Sequence, residues 1–362
     1  MTSSLQTVFP GAQWERATPE SQGVDAPGLE RAHEFLEGEL GPGSTNEAVL
    51  IRHGRLIWEG SDSRRVHGVW SVTKSFTSTC LGLLADDGRC GLGTPAHEFA
   101  PELDDHYPEV TLRHFATMTS GYCAVGDAPR GGYTHGPSLT PLEPGEEPLF
   151  APPGSRYAYW DSAMNIFALV LTRIAREPLE SLFRRRVTDP IGIGKDEWRW
   201  GVLDKTDAVA VNGGAGNMNK HVFISAQALA RLGLLFLHRG VWDGRRLLSA
   251  SWADDATSVQ VAVSLPLGHP ESGIDGRGCY GFNCWVNGVK PDGKRVFPAA
   301  PAGTFLARGK FDNMLFVIPE WDMVIVRLGL AGNAPDSVWN GYLRWISKAI
   351  RFDSPVGDTP LA

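Results

Sequence analysis

Apolar residues along this chain change their period several times, and each change marks an element. In "PGLERAHEFLEGEL" Leu29, Ala32, His33 and Leu36 recur at helical spacing, whereas "EAVLIRHGRLIWEG" reads as two strands turning at His53-Gly54. From Ser71 the helical period returns with Phe76, Cys80, Leu83 and Leu84 on one side and Gly88 as the stop. "VTLRHFATMTSGY", "SAMNIFALVLTRIAREPLESLFRRRV" and "SAQALARLGLLFLHRG" continue the helical character. Three apolar strand candidates follow, "TFLARGK", "NMLFVIP" and "DMVIVRLG", the last two joined by a tight "PEWD" turn. A final helix in "PDSVWNGYLRWISKAI" carries Val338, Tyr342, Trp345, Ile346 and Ala349 on one stripe.

Strands therefore lie at both ends and helices in the middle. This order predicts an α/β plus helical fold, with an antiparallel sheet built from both chain ends, flanked by helices, and a mostly helical domain inserted. We place the sheet domain at residues 1–70 and 276–362 and the inserted domain at 71–275, with a site at their junction. The stretch from Gly121 to Gly154 is rich in Gly and Pro and lacks a period. Long loops of this kind are commonly functional, so we expect this one, including Tyr133 and His135, to border the site.

Composition narrows the function classes. With 362 residues and 42% hydrophobic content, the chain can bury a large core without disulfides or metals. A net charge of -7 without a long basic block argues against nucleic acid or an anionic membrane as partner. The short run Arg184–Arg186 reads as a solvated helix face. Five irregularly spaced cysteines suit a reduced compartment. "MTSSLQTVFPGAQWE" has no basic start followed by an apolar stretch, and no segment reaches the length of a membrane span, so we expect a cytoplasmic protein.

The chemistry begins in "GVWSVTKSFTSTCLGLL", where Ser71 and Lys74 stand three residues apart and can meet on one helix face. A serine at a helix start has a free backbone N–H to stabilise an oxyanion, and a neutral lysine can take its proton. Bringing a lysine from about 10.4 to about 7.5 requires about 4 kcal/mol of burial and neighbouring positive charge. Alone, Ser-x-x-Lys reads more simply as an N-cap followed by a surface lysine. No Gly-x-Ser-x-Gly, His-Glu-x-x-His or phosphate-binding glycine loop competes with it.

Four stretches read in order are more specific: "WSVTKSFTSTCLG", "TLRHFATMTSGY", "PPGSRYAYWDSAMNIFALVL" and "FLARGKFDNMLFVIPEWDMVIVRLG". Together, from about Trp14 to Gly329, they resemble the serine β-lactamase and penicillin-binding superfamily, in particular its class C-like branch of esterases and 6-aminohexanoate-dimer hydrolases. The resemblance implies a β-lactamase/transpeptidase-like fold and a hydrolase acting on a small-molecule ester or amide, without metal or organic cofactor. It implies that Ser71 is the acylated nucleophile, Lys74 its partner base and Tyr159 a proton relay. It places the oxyanion hole at the amides of Ser71 and Lys310, and substrate contacts at Asp161, Arg308, Gly309 and Asn313.

Two departures from the family pattern stand out. Asp161 occupies the place of the usual Asn, adding negative charge near Lys74. Ala307 occupies the place of the Lys or His that holds a β-lactam carboxylate, which argues against β-lactam hydrolysis. Two other readings follow from the same fold: a ligand-binding protein that has lost catalysis, and a D-Ala-D-Ala peptidase or β-lactamase.

Overall fold

The computed structural model describes residues 7–127, 140–216, 219–270 and 273–351. A six-stranded sheet forms its centre, made of β1 (Glu47–Arg52), β2 (Arg55–Glu59), β3 (Trp285–Val286), β4 (Phe305–Gly309), β5 (Asn313–Ile318) and β6 (Met323–Leu328). The strand order is β3-β4-β5-β6-β1-β2, and every neighbouring pair is antiparallel. The two chain ends meet where β1 pairs β6 in the register Leu50↔Ile325. Both residues of the β1–β2 turn have positive φ, His53 at 48° and Gly54 at 73°, the geometry that matches the twist of a tight hairpin.

The sheet is covered on both faces, which explains why its strands read as continuous apolar runs rather than as alternating ones. Leu50, Leu306, Phe316 and Ile325 pack with helices α1 (Ala26–Leu40) and α5 (Asp336–Ala349). Val49, Leu315, Val317 and Val324 face the opposite way, into the larger core. On that side lies α4 (Ala226–Leu237), capped by Ser225. By number α4 belongs to the middle of the chain, yet it packs on the sheet, and Gly233 brings the two together.

The middle of the chain supplies α2 (Thr73–Asp86) and α3 (Asp161–Ala175), both buried along most of their length. The helix expected through Val187 is interrupted: Arg176 adopts φ 56° as the cap of α3, and Pro178 precedes a separate helix at Leu179–Phe183. The segment is also less purely helical than its periodicity suggests. Strands His67–Gly68, Val222–Ile224 and Trp198–Trp200 form a small sheet, each too short to show a period of two.

Arg184, Arg185 and Arg186 pair with Glu180, Glu177 and Asp87. All five cysteines are free. No helix among the described residues is long and apolar enough to cross a membrane.

A Cβ at Gly233 would lie 2.6 Å from Val324 Cγ1 and 2.8 Å from Leu315 Cδ1. Alanine gains about 1 kcal/mol of helix propensity over glycine, while overpacking costs about 1–3 kcal/mol. Gly233→Ala is therefore expected to lower stability, read as a lower urea midpoint at unchanged m; a raised midpoint would show that α4 has slack over the sheet.

Candidate active site

A cavity of about 920 Å³ opens where α2, α3 and the end of β4 converge, with Ser71, Tyr159 and Asp161 on its wall. Ser71 lies in a tight turn, Trp70–Val72, that runs directly into α2. One helical turn on, Lys74 is buried, and its Nζ donates a hydrogen bond to Ser71 Oγ at 2.8 Å. The expected meeting of these two side chains is therefore present.

Lys74 has a second partner, Asp161, the first residue of α3, with Nζ 2.6 Å from Oδ1 and both side chains almost fully buried. Burial pushes the lysine pKa down, but the Asp161 carboxylate and the Tyr159 oxygen outweigh it, and the net direction is upward. Lys74 is held as an ammonium. Its Nζ also lies 4.6 Å from the centre of the Tyr159 ring.

Tyr159 is itself held on two sides, stacking on Trp285 of β3 and meeting Tyr280 edge-on. The flanking residues are anchored to Asp127, which accepts from Trp160 Nε1 at 2.8 Å and Ser162 Oγ at 2.7 Å. Residues 128–139, with Tyr133 and His135, lie outside the described residues. Of Gly121–Gly154, none of the described residues lines the cavity, and their visible work is this anchoring.

Glycines allow the sheet and the Ser71 turn to approach each other. A Cβ on Gly309, the last residue of β4, would sit 2.3 Å from Val69 O and 3.1 Å from Ser71 N, and one on Gly216 would sit 2.4 Å from Ser71 N. The Ser71 amide therefore lies close to Gly309, the last residue of β4. After Lys310 the chain turns through two residues of positive φ, Phe311 at 67° and Asp312 at 57°. Arg327 Nη1 donates to the carbonyl of Phe311 at 2.6 Å and to that of Asp312 at 3.2 Å.

Asn313 does not take the substrate-contacting place expected of it. It is fully buried, its Nδ2 donates to Lys310 O at 2.6 Å and Gly329 O at 3.2 Å, and its Oδ1 accepts from Gly329 N at 3.1 Å. With its amide committed to backbone, it shapes the turn that presents Lys310. Arg308 does line the cavity, but it is engaged: Nη1 donates to Asp336 Oδ1 at 2.9 Å, and Lys290 holds the other oxygen at 2.8 Å. Burial raises the Asp336 pKa, the two cations outweigh it, and the carboxylate is held below its ordinary range. Ala307 is buried against β5 opposite Leu315 and is absent from the cavity wall.

Sequence reasoning missed Trp70, Gly216, Trp285, Lys290 and Asp336, all of which line the cavity. The run "NGGAGN" was the available signal for Gly216, since clustered glycines mark close backbone approach. Lys290 and Asp336 are 46 residues apart, and no local pattern connects them.

Solved structures with the same fold include a Bacillus anthracis protein described as a candidate 6-aminohexanoate-dimer hydrolase, with TM-score 0.64, 19% identity, and 94% of this chain and 88% of that one covered. Another is EstCE1, a hydrolase with promiscuous acyltransferase activity, with TM-score 0.63, 16% identity, and 90% of this chain and 100% of that one covered. Among curated relatives, the D-alanyl-D-alanine-carboxypeptidase/endopeptidase AmpH of Escherichia coli (strain K12) is 31% identical over 179 residues, which is 42% of this chain and 45% of that protein. The matches span less than half the length of the curated relatives. The family profile described as Beta-lactamase matches residues 45–332, and so the chain belongs to the beta-lactamase family.

Proposed function

We propose that this beta-lactamase-family hydrolase is a serine hydrolase that cleaves an ester or small amide bond through an acyl-enzyme on Ser71. One observation carries the reading: Lys74 Nζ stands 2.8 Å from Ser71 Oγ while a buried carboxylate, Asp161, holds it 2.6 Å away. A buried lysine with no chemical task is an unfavourable thing to place behind a cavity wall.

We infer the remaining roles from the charge on Lys74. An ammonium cannot accept a proton, so Tyr159 is the base, and Lys74 offsets the negative charge on the tyrosine oxygen that takes the proton. Ser71 Oγ forms a bond to the substrate carbonyl carbon, whose oxygen turns toward the amides of Ser71 and Lys310. As the tetrahedral intermediate collapses, the bond to the leaving group breaks and Tyr159 returns the proton to that group. Water then repeats the sequence and frees the acid. Gly309 leaves room for the substrate along β4. Arg308, with Lys290 and Asp336, forms the charged wall farther out.

A second reading, cleavage of a D-alanyl-D-alanine amide, is favoured by the partial match to AmpH. D-Ala-D-Ala peptides therefore belong in the same substrate panel as p-nitrophenyl esters.

Ser71→Ala is expected to abolish fluorophosphonate labelling, read by intact mass, and to lower turnover by on the order of 10⁶. Stable activity in folded Ser71→Ala protein overturns the acyl-enzyme. Asp161→Asn removes the charge that keeps Lys74 protonated. Burial then dominates and the lysine pKa falls, so the ammonium that supports the Tyr159 oxygen is lost at lower pH. The alkaline limb of kcat/KM against pH is expected to move to lower pH, and a limb that stays or moves upward shows that Asp161 does not set it. Ala307 supplies no cation for a β-lactam carboxylate, and losing a charged hydrogen bond of about 1.5–3 kcal/mol slows such a substrate by about 10–150-fold. A chromogenic cephalosporin is thus expected to turn over far more slowly than neutral esters; equal rates in the wild-type protein would refute this.

A further inference from the structure

Trp70, the residue before Ser71, has a φ of 51°, in the left-handed region that a bulky side chain disfavours. Such a conformation persists only where surrounding structure over-determines it, and the small sheet beside the site supplies that structure. Val69 N donates to Val222 O at 3.0 Å, and Val222 N donates to Thr73 Oγ1 at 2.9 Å, so the chain is pinned on both sides of Ser71 to one residue.

His221, next to Val222, lies under the strained residue. Its ring stacks on Trp70 with centroids 5.1 Å apart and planes 25° apart. The ring also stacks on Phe223 at 4.9 Å and 16°, and the Arg199 guanidinium lies 3.5 Å from the Phe223 ring centre. The imidazole also hydrogen-bonds to the backbone of Gly216, the glycine against the Ser71 amide. Gly68 makes the room, since a Cβ there would lie 2.1 Å from His221 Nε2.

We propose that His221 is a positioning residue that holds Trp70 in its strained conformation and thereby aims Ser71 Oγ at Lys74. It is not a base for the reaction, being 2% exposed and absent from the cavity wall. Burial, with Arg199, His67 and Lys74 nearby, pushes its pKa down to about 4, so it stays neutral around pH 7. Stacking needs a flat ring at this place, whereas the Gly216 bond needs the N–H, and the two contributions separate on substitution.

The proposal rests on Ser71 as the nucleophile, and two measurements keep its failure apart from the failure of that reading. The first is the ester kcat per active site, counted by fluorophosphonate titration, in His221→Ala and His221→Phe. Misplacing a reacting group by about 1 Å costs about 10²-fold, so His221→Ala is expected to lose roughly 10–100-fold in kcat per site with KM little changed. His221→Phe, which keeps the stack, is expected to stay within a few-fold of wild type. A purely structural role would lower the active fraction or Tm and leave the rate per site alone. The second is the crystal structure of His221→Ala, which needs no activity: Trp70 is expected to relax to negative φ and Ser71 Oγ to leave Lys74. Per-site rates within twofold of wild type in both variants, equal losses in Ala and Phe, or an unchanged Trp70 φ would each overturn the proposal. Absence of labelling at Ser71 in the wild-type protein would instead sink the acyl-enzyme reading, leaving the Trp70 geometry to decide on His221.

Discussion

The buried ion pair between Lys74 and Asp161 is the constraint around which the rest of the site is arranged. Taking an ammonium and a carboxylate out of water costs several kcal/mol per ion, recovered only when partners and geometry are good. Here the lysine is satisfied by Asp161 Oδ1 at 2.6 Å and Ser71 Oγ at 2.8 Å, both supplied by helix beginnings. α2 and α3 must therefore start at the same point in space. The packing of two apolar helices provides that, and the polar cluster is carried at their junction.

The third wall comes from the sheet, and its approach is governed by small residues. Gly309 and Gly216 place backbone where any side chain would collide with the Trp70–Ser71 turn. Behind them, buried Arg327 and Asn313 bond the carbonyls of the turn after β4. Side chains that are polar and fully buried, and so could be taken for site residues, here stabilise the backbone that presents Lys310. Farther out, Asp336 draws Arg308 and Lys290 together into one charged cluster at the start of α5.

These layers connect stability to function. The same face of the sheet that packs α4 through Gly233 continues along β4 to Ala307 and Gly309, so the core and the site share one strand. Trp70 keeps its positive φ beside a separate small sheet, to which the chain is bonded on both sides of Ser71 through Val222.

Much of this was legible in the amino-acid order, because it depends on local periods and on motif spacing. The α1 helix, the β1–β2 hairpin, the last three strands and the closing helix follow from runs of apolar residues whose period is set by backbone geometry alone. The meeting of Ser71 and Lys74 follows from helical spacing of three. The protonation of Lys74 was legible only as a possibility raised by Asp161, since its sign is a contest between burial and a neighbouring charge, and both terms depend on distances. The same holds for Arg308, whose partner Asp336 is 28 residues away, and for Asn313, whose three bonds reach backbone on both sides of a turn. His221 looks like any histidine in "NKHVFIS", and only the folded chain slides it beneath Trp70. Local order determines which elements form; which polar groups they enclose together, and with what charge, is decided by tertiary packing, because electrostatic free energy in a dry interior depends on separation and not on sequence distance.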